Sequence, residues 1–283
     1  MDNRKKKCII ISCSNPISED RSQRLRETEV ILSEAGYEVE ESGSLYAGAG
    51  PGASLEPKRR AEALMKALRD PEASDIFDVS GGDLSNTILP FLDYEVIKES
   101  RARFWGYSDL TALINAIYAL TGKPSMLYHV PNLAADEERR LDFLRYIRGE
   151  DAALIRPSFE IVQGEGMEGV VIGGNIRCFL KLAGTPYWPD VRGKLLLLEA
   201  MSGRTERIAS YLAQLSQLGV FEEACGIFLG TFLELEREMD TQGLIRLVKE
   251  YAGDIPMAVT GEIGHRSDSK AIMIGSRISI GKT

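Results

Sequence analysis

Histidine is nearly absent from this chain, with His129 and His265 alone among 283 residues. Any reaction that needs an imidazole base therefore has two candidates. The same scarcity, with neither HExxH nor HxxEH spacing, argues against a metal centre. Cysteine is also sparse. Cys8, Cys13, Cys178 and Cys225 show no CxxC spacing, which fits reduced, buried side chains in a cytoplasmic protein better than a disulfide framework. The formal net charge is −8 and no extended basic tract occurs, so nucleic acid is not expected as a partner. No run approaches the roughly 20 apolar residues of a membrane-spanning helix, so no membrane partner is expected either. A short cluster from Arg4 to Lys7 precedes "CIIISCS", but that apolar run is too short for a signal-peptide core and lacks a small-residue cleavage site. It reads as a first buried strand. GxxxxGK[ST] is missing, and "GAGPGAS" lacks both the lysine and GxGxxG spacing, so it is only a weak phosphate-loop mimic.

What is present is an alternation of strand and helix signals. "CIIISC" is followed by a polar helix from about Ser18 to Ala35, then "YEVEES", a helix from about Pro57 to Arg69, and "DIFDVS". "GGDLSN" opens a further helix, "RFWGYS" is a strand before a helix from Asp109 to Leu120, and "PSMLYHV" precedes the charged helix "DEERRLDFLRYIRG". Strands separated by helices of this length imply βαβ units and a parallel sheet. Composition changes after Gly149, where "IRPSFEIVQGEGMEGVVIGGN" is Gly-rich and loosely β-like. Beyond it come "KLLLLEA", a helix from about Arg204 to Leu218, "CGIFLGTF", a helix near Thr241 to Ala252, and "IPMAVTGE". The expectation is an α/β protein with two domains. An N-terminal parallel-sheet domain (residues 1–153, flavodoxin- or class I glutaminase-like) is joined by a linker (154–169) to a smaller C-terminal α/β domain (170–283). The length is near the limit of a single core, which points the same way.

Four places carry candidate chemistry. In "FWGYSDLTALINAI" a strand ends in Gly-Tyr-Ser-Asp and passes directly into a helix, as in a nucleophile elbow that lifts a hydroxyl above a sheet edge. Leu110 stands where G-x-S-x-G has its second glycine, and the alternative is that Ser108 or Asp109 merely caps the helix. "SGGDLSN" is a second strand-to-helix turn whose paired glycines permit close backbone approach, or simply a tight turn. Both turns fall at the carboxyl ends of strands, where parallel sheets bind ligands. His265 lies in the polar loop "TGEIGHRSDSK", either as a functional imidazole or as a surface side chain, while His129 in "LYHVPN" could equally face the rim. Glu199 ends "GKLLLLEA", placed either to charge a helix start or to orient an imidazole.

Taken in order, "GGDLSNTILPFLDYEVI", "GYSDLTALINAIYALTG", "GGN" at 173–175, "GTPYWPD", "LLLLEA" and "GEIGH" resemble the LD-carboxypeptidase and microcin C immunity peptidase family of serine peptidases. The resemblance runs from "CIIISCSNPIS" to about Gly275. It implies a nucleophile, Ser108, in the first domain, with Glu199 and His265 in the second completing a triad. It further implies an oxyanion hole from the backbone N–H groups of Gly82 and Asp109. No metal or cofactor is implied; a small peptide or peptidyl-nucleotide substrate, cytoplasmic location and a homodimer are. Asn86, Trp188 and Arg204 are candidate substrate-binding residues: Trp188 either stacks a base or fills the domain junction, and Arg204 either pairs with a carboxylate or phosphate or is a solvated helix-start charge. Two substrates compete: muropeptides cut at an L,D-bond, and amides joining a peptide to a nucleotide-like group. "SGGDLSN", where cell-wall recyclers commonly read Arg-Gly-Gly-Tyr-Gly, favours the second. The usual Pro-Gly step after the histidine reads Ile274-Gly275, and the nearby end of the sequence suggests loss of a terminal strand. A binding protein on the same scaffold, without turnover, is the alternative of a different class; a class I amidotransferase would need cysteine at position 108.

Overall fold

The computed structural model describes residues 6–17, 22–46 and 56–281. "GAGPGAS", and residues 18–21 of the expected first helix, lie outside them. Two six-stranded sheets organise the chain. The first is built from β1 (Lys6–Ile11), β2 (Tyr37–Glu41), β3 (Ala73–Asp78), β4 (Arg103–Gly106) and β5 (Ser125–Leu127), all parallel. Their order, β5-β4-β3-β1-β2, is that of a flavodoxin-like doubly wound sheet, with its switch point between β1 and β3. Helices α1 (Ser22–Glu34), α2 (Pro57–Arg69), α3 (Tyr94–Glu99), α4 (Thr111–Thr121) and α5 (Glu137–Arg148) connect and cover it.

The second sheet comprises β6 (Glu160–Gln163), β7 (Gly166–Asn175), β8 (Lys194–Ala200), β9 (Gly226–Phe232), β10 (Met257–Val259) and β12 (Arg277–Gly281), with β11 (Ile272–Ile274) between the last two in sequence. Strands β7 to β10 are parallel, while β6 and β12 close the two edges antiparallel. Helices α6 (Ile176–Leu180), α7 (Thr205–Gln217), α8 (Val220–Glu223) and α9 (Thr241–Ala252) flank it. Three details depart from the sequence expectation. Residues read as a linker contain β6, which pairs with β10. Strand β11, assigned to the C-terminal domain, instead pairs antiparallel with β5 and extends the first sheet. A terminal strand is present, since β12 pairs with β7 over five positions.

The two lobes meet across α4. Its residues Thr111 to Ile117 are all buried, because one side packs on the first sheet and the other on the second lobe. Leu110, Leu113 and Leu127 share one apolar cluster with Val171, Leu195, Leu197 and Phe228. The joint is also hydrogen-bonded. Asn115 donates from Nδ2 to the Gly173 carbonyl (2.9 Å) and accepts at Oδ1 from the Gly173 N–H (2.8 Å), and the Asn175 N–H donates to Thr111 Oγ1 (3.0 Å). Gly173 and Gly174 both have positive φ, and a Cβ on Gly174 would press on Thr111. The "GGN" run is thus the seat on which α4 docks.

Candidate active site

Strand β4 ends at Gly106, and Ser108 opens a single 3-10 turn that runs into α4. Ser108 has φ +52°, the one non-glycine residue with positive φ among the described residues. For an L-residue that conformation costs roughly 1–2 kcal/mol, so the surrounding fold must enforce it. Gly106 makes the reversal fit, because a Cβ there would lie 2.8 Å from Leu110 Cβ. The capping alternative finds no support in the hydrogen bonds: no side chain caps the 3-10 turn or α4. The buried Asp109 carboxylate accepts instead from Ser14 Oγ (2.6 Å), the Ser85 N–H (2.8 Å) and Lys181 Nζ (2.5 Å). Burial alone would raise its pKa, but these donors and the Lys181 charge pull it below the usual carboxylate value.

The side chains of Ser108, His265 and Glu199 lie in one row. His265 Nε2 is 2.9 Å from Ser108 Oγ, and Nδ1 is 2.7 Å from Glu199 Oε2. A carboxylate can only accept, so Nδ1 carries the proton and Nε2 is left as an acceptor facing the serine hydroxyl. Glu199 is fully buried and reaches the row from a β-bulge, where the β8–β9 register shifts between Leu198 and Ala200. His265 is held by the loop after β10. Gly264 has φ +151° and a Cβ on it would overlap Thr231 Oγ1, while the Thr231 N–H donates to the Ile263 carbonyl (2.8 Å). Tyr107 packs its ring 4.8 Å from the imidazole, with its hydroxyl 3.5 Å from Nδ1. Burial, and then the Glu199 charge, push that hydroxyl well above its ordinary pKa, so it stays a donor.

The Gly-Gly turn after β3 faces the elbow. The Asn15 N–H donates to the Gly81 carbonyl (3.1 Å), which in a trans peptide turns the Gly82 N–H the opposite way. Gly82 has φ +123°, and a Cβ there would overlap the Asn15 amide, so only glycine fits. Arg60 of α2, almost fully buried, ties the neighbouring loops by donating to the carbonyls of Cys13 (2.6 Å), Ser14 (3.2 Å) and Leu84 (3.2 Å). Asp78 accepts from the Cys13 and Ser80 N–H groups (2.8 and 2.9 Å). From the second lobe, Arg177 pairs with Asp83 and donates to the Gly82 carbonyl (3.2 Å), and Lys181 donates to the Asp83 carbonyl (2.9 Å). These partners went unread in the sequence, although Arg177 in α6 and Lys181, its C-cap residue, stand at i,i+4 spacing.

Ser108, His265, Gly81, Gly82 and Tyr107 line a cavity of about 440 Å³ with His129, Asn132, Met201 and Arg24. That is within the usual range for a small-molecule site. His129 does face this rim, with Nδ1 3.0 Å from Asn132 Oδ1. Asn86, Trp188 and Arg204 are not among the lining residues. Asn86 lies in the 3-10 segment Ser85–Phe91. Trp188 packs on Phe179 with ring centroids 4.5 Å apart and joins the apolar clusters of both lobes. Arg204, largely exposed, lies 3.7 Å from Glu234 and from Glu238.

Comparison with known proteins agrees with this architecture. The LD-carboxypeptidase N-terminal domain matches residues 9–128 and the LD-carboxypeptidase C-terminal domain matches residues 168–280. The putative carboxypeptidase YocD of Bacillus subtilis is 30% identical over 78% of this chain and 77% of its own length. A probable murein peptide carboxypeptidase of the same organism is 28% identical over 94% of this chain and 86% of its own. Among solved structures, an MccF-like protein from Bacillus anthracis superimposes with a TM-score of 0.84 at 26% identity, covering 99% of this chain and 94% of that one. The chain belongs to the LD-carboxypeptidase family of hydrolases.

Proposed function

We propose that the protein is a serine carboxypeptidase that hydrolyses its substrate through an acyl-enzyme, with Ser108 as nucleophile. His265 Nε2 takes the Ser108 proton as Oγ attacks the carbonyl carbon, and Glu199 holds the ring in that tautomer and stabilises the imidazolium. The N–H groups of Gly82 and Asp109 receive the developing oxyanion. His265 then protonates the departing amine, and water, deprotonated by the same imidazole, releases the acyl group. The observation that carries this reading is the unbroken row Ser108 Oγ, His265, Glu199 beside a cavity, with the serine held in the left-handed region. Residues 1–153 supply the nucleophile and 170–283 the acid and the histidine.

The substrate class we favour is a short peptide cut at an L,D-bond, as in muropeptides. A relative matching 94% of this chain is named for murein peptides, and neither Trp188 nor Arg204 lines the cavity, so neither offers a nucleotide contact there. The second reading, an amide joining a peptide to a nucleotide-like group, draws on the "SGGDLSN" turn and the MccF-like neighbour. Parallel hydrolysis of an L,D-tetrapeptide and an aminoacyl-sulfamoyl adenosine separates the two. Ser108→Ala should lower kcat by roughly 10⁴-fold or more on the true substrate with little change in melting temperature. Wild-type turnover in that variant would refute the mechanism. We also place the protein in the cytoplasm as a homodimer. Four unpaired cysteines among the described residues fit that compartment, and light scattering tests the dimer. No helix among the described residues is long and apolar enough to cross a membrane.

A further inference from the structure

We propose that Arg24 is the specificity-determining residue that recognises the terminal carboxylate of the substrate. This rests on reading the Ser108 cavity as a carboxypeptidase site. An enzyme that removes a terminal residue must tell a chain end from a chain interior, and the chemical difference is one carboxylate. Among the described residues, the cavity lining offers a single formal charge for that purpose. Arg24 is the one arginine or lysine among the described lining residues, and none of those residues is an aspartate or glutamate.

Arg24 is also built to serve. It lies in the first turn of α1 and its Nε donates to the Pro131 carbonyl (3.1 Å). Pro131 itself lines the cavity, in the 3-10 turn Val130–Ala134 that follows His129. This bond fixes the guanidinium plane through Nε and leaves Nη1 and Nη2 to form a fork for two carboxylate oxygens. No aspartate or glutamate among the described residues pairs with Arg24, in contrast to Arg103, Arg139, Arg177 and Arg266. Arg24 and Ser108 line the same cavity. Tyr107, adjacent to Ser108, packs 6.1 Å from the His129 ring, and the 129–132 turn leads from there to Arg24.

The test is calorimetric binding of an L,D-tetrapeptide, with a free or an amidated C-terminus, to the full-length Ser108→Ala protein with and without Arg24→Ala. Binding does not require turnover, so this result stands apart from the fate of the nucleophile assignment. Free-acid peptide should bind the Arg24-containing protein about 10–100-fold more tightly than the amide, the range expected of a charge-assisted pair. Arg24→Ala should abolish that preference by weakening the acid alone, and Arg24→Lys should restore part of it. In the active protein the loss should fall on KM, with the amidated peptide unaffected. Equal weakening of acid and amide, or an acid preference that survives Arg24→Ala, would overturn the assignment. So would selective loss of aminoacyl-sulfamoyl adenosine binding with peptide binding intact, which would assign the cation to the sulfamate instead.

Discussion

Asp78 shows how single residues beneath the cavity set its behaviour. Its carboxyl is fully buried at the end of β3, and burial pushes its pKa up to about 6 despite the Ser80 and Cys13 donors. A carboxyl with a raised pKa binds its proton more tightly when folded, so its contribution favours the folded state at low pH. That contribution declines as the pH rises from the ordinary value near 4 towards 6, by an amount on the order of 3 kcal/mol. Asp78→Asn should therefore flatten the stability-versus-pH curve across that window, as read by urea denaturation at half-unit steps. An unchanged slope would show that Asp78 does not titrate there. Tyr107 acts at the same scale by a different route: it keeps its proton and offers the Glu199 carboxylate a permanent donor.

Among the elements, the loop 260–266 matters most, because it brings an imidazole from one sheet to a serine on the other. Gly264 lies where a Cβ would overlap Thr231, so Gly264→Ala must either move the loop or shift β9. We expect a fall in kcat of at least about 10²-fold, the penalty typical of a catalytic group displaced by about 1 Å. Steady-state kinetics with a thermal melt checks it, and parent-like kinetics would show that the loop seats His265 without the glycine. Elements of this kind were unevenly legible in the sequence. Helices α2 and α9 were expected over the residues they occupy, since each pairs a long amphipathic run with clear ends. Strands β6, β11 and β12 were not, because three to five residues carry too little periodicity and their partners are remote. At the site, side chains in polar turns at strand ends could be singled out. The cavity wall could not: Arg24, Met201 and Asn132 come from three unrelated segments that only the tertiary fold assembles.

For the molecule as a whole, one electrostatic strut between lobes is Lys181, which reaches from the second lobe to Asp109 at the elbow of the first, beside the Arg177–Asp83 pair. Asp109 is fully buried, so Lys181→Met would remove the cation in direct ion-pair contact with its carboxylate. A loss of roughly 3 kcal/mol is expected in denaturant titrations, with Asp109→Asn added to the same variant recovering part of it. Additive losses in the double variant would contradict the coupling. The apolar cluster shared across α4 makes the same point without charge, since neither half of it is complete alone. Strand β11 carries the longest-range consequence. The outer neighbour of β5 is supplied by residues 272–274, almost 150 positions later in the chain. During synthesis, the sheet that carries Ser108 therefore waits on the ribosome with its β5 edge open until residues 272–274 have emerged, a period in which that edge is available to other chains.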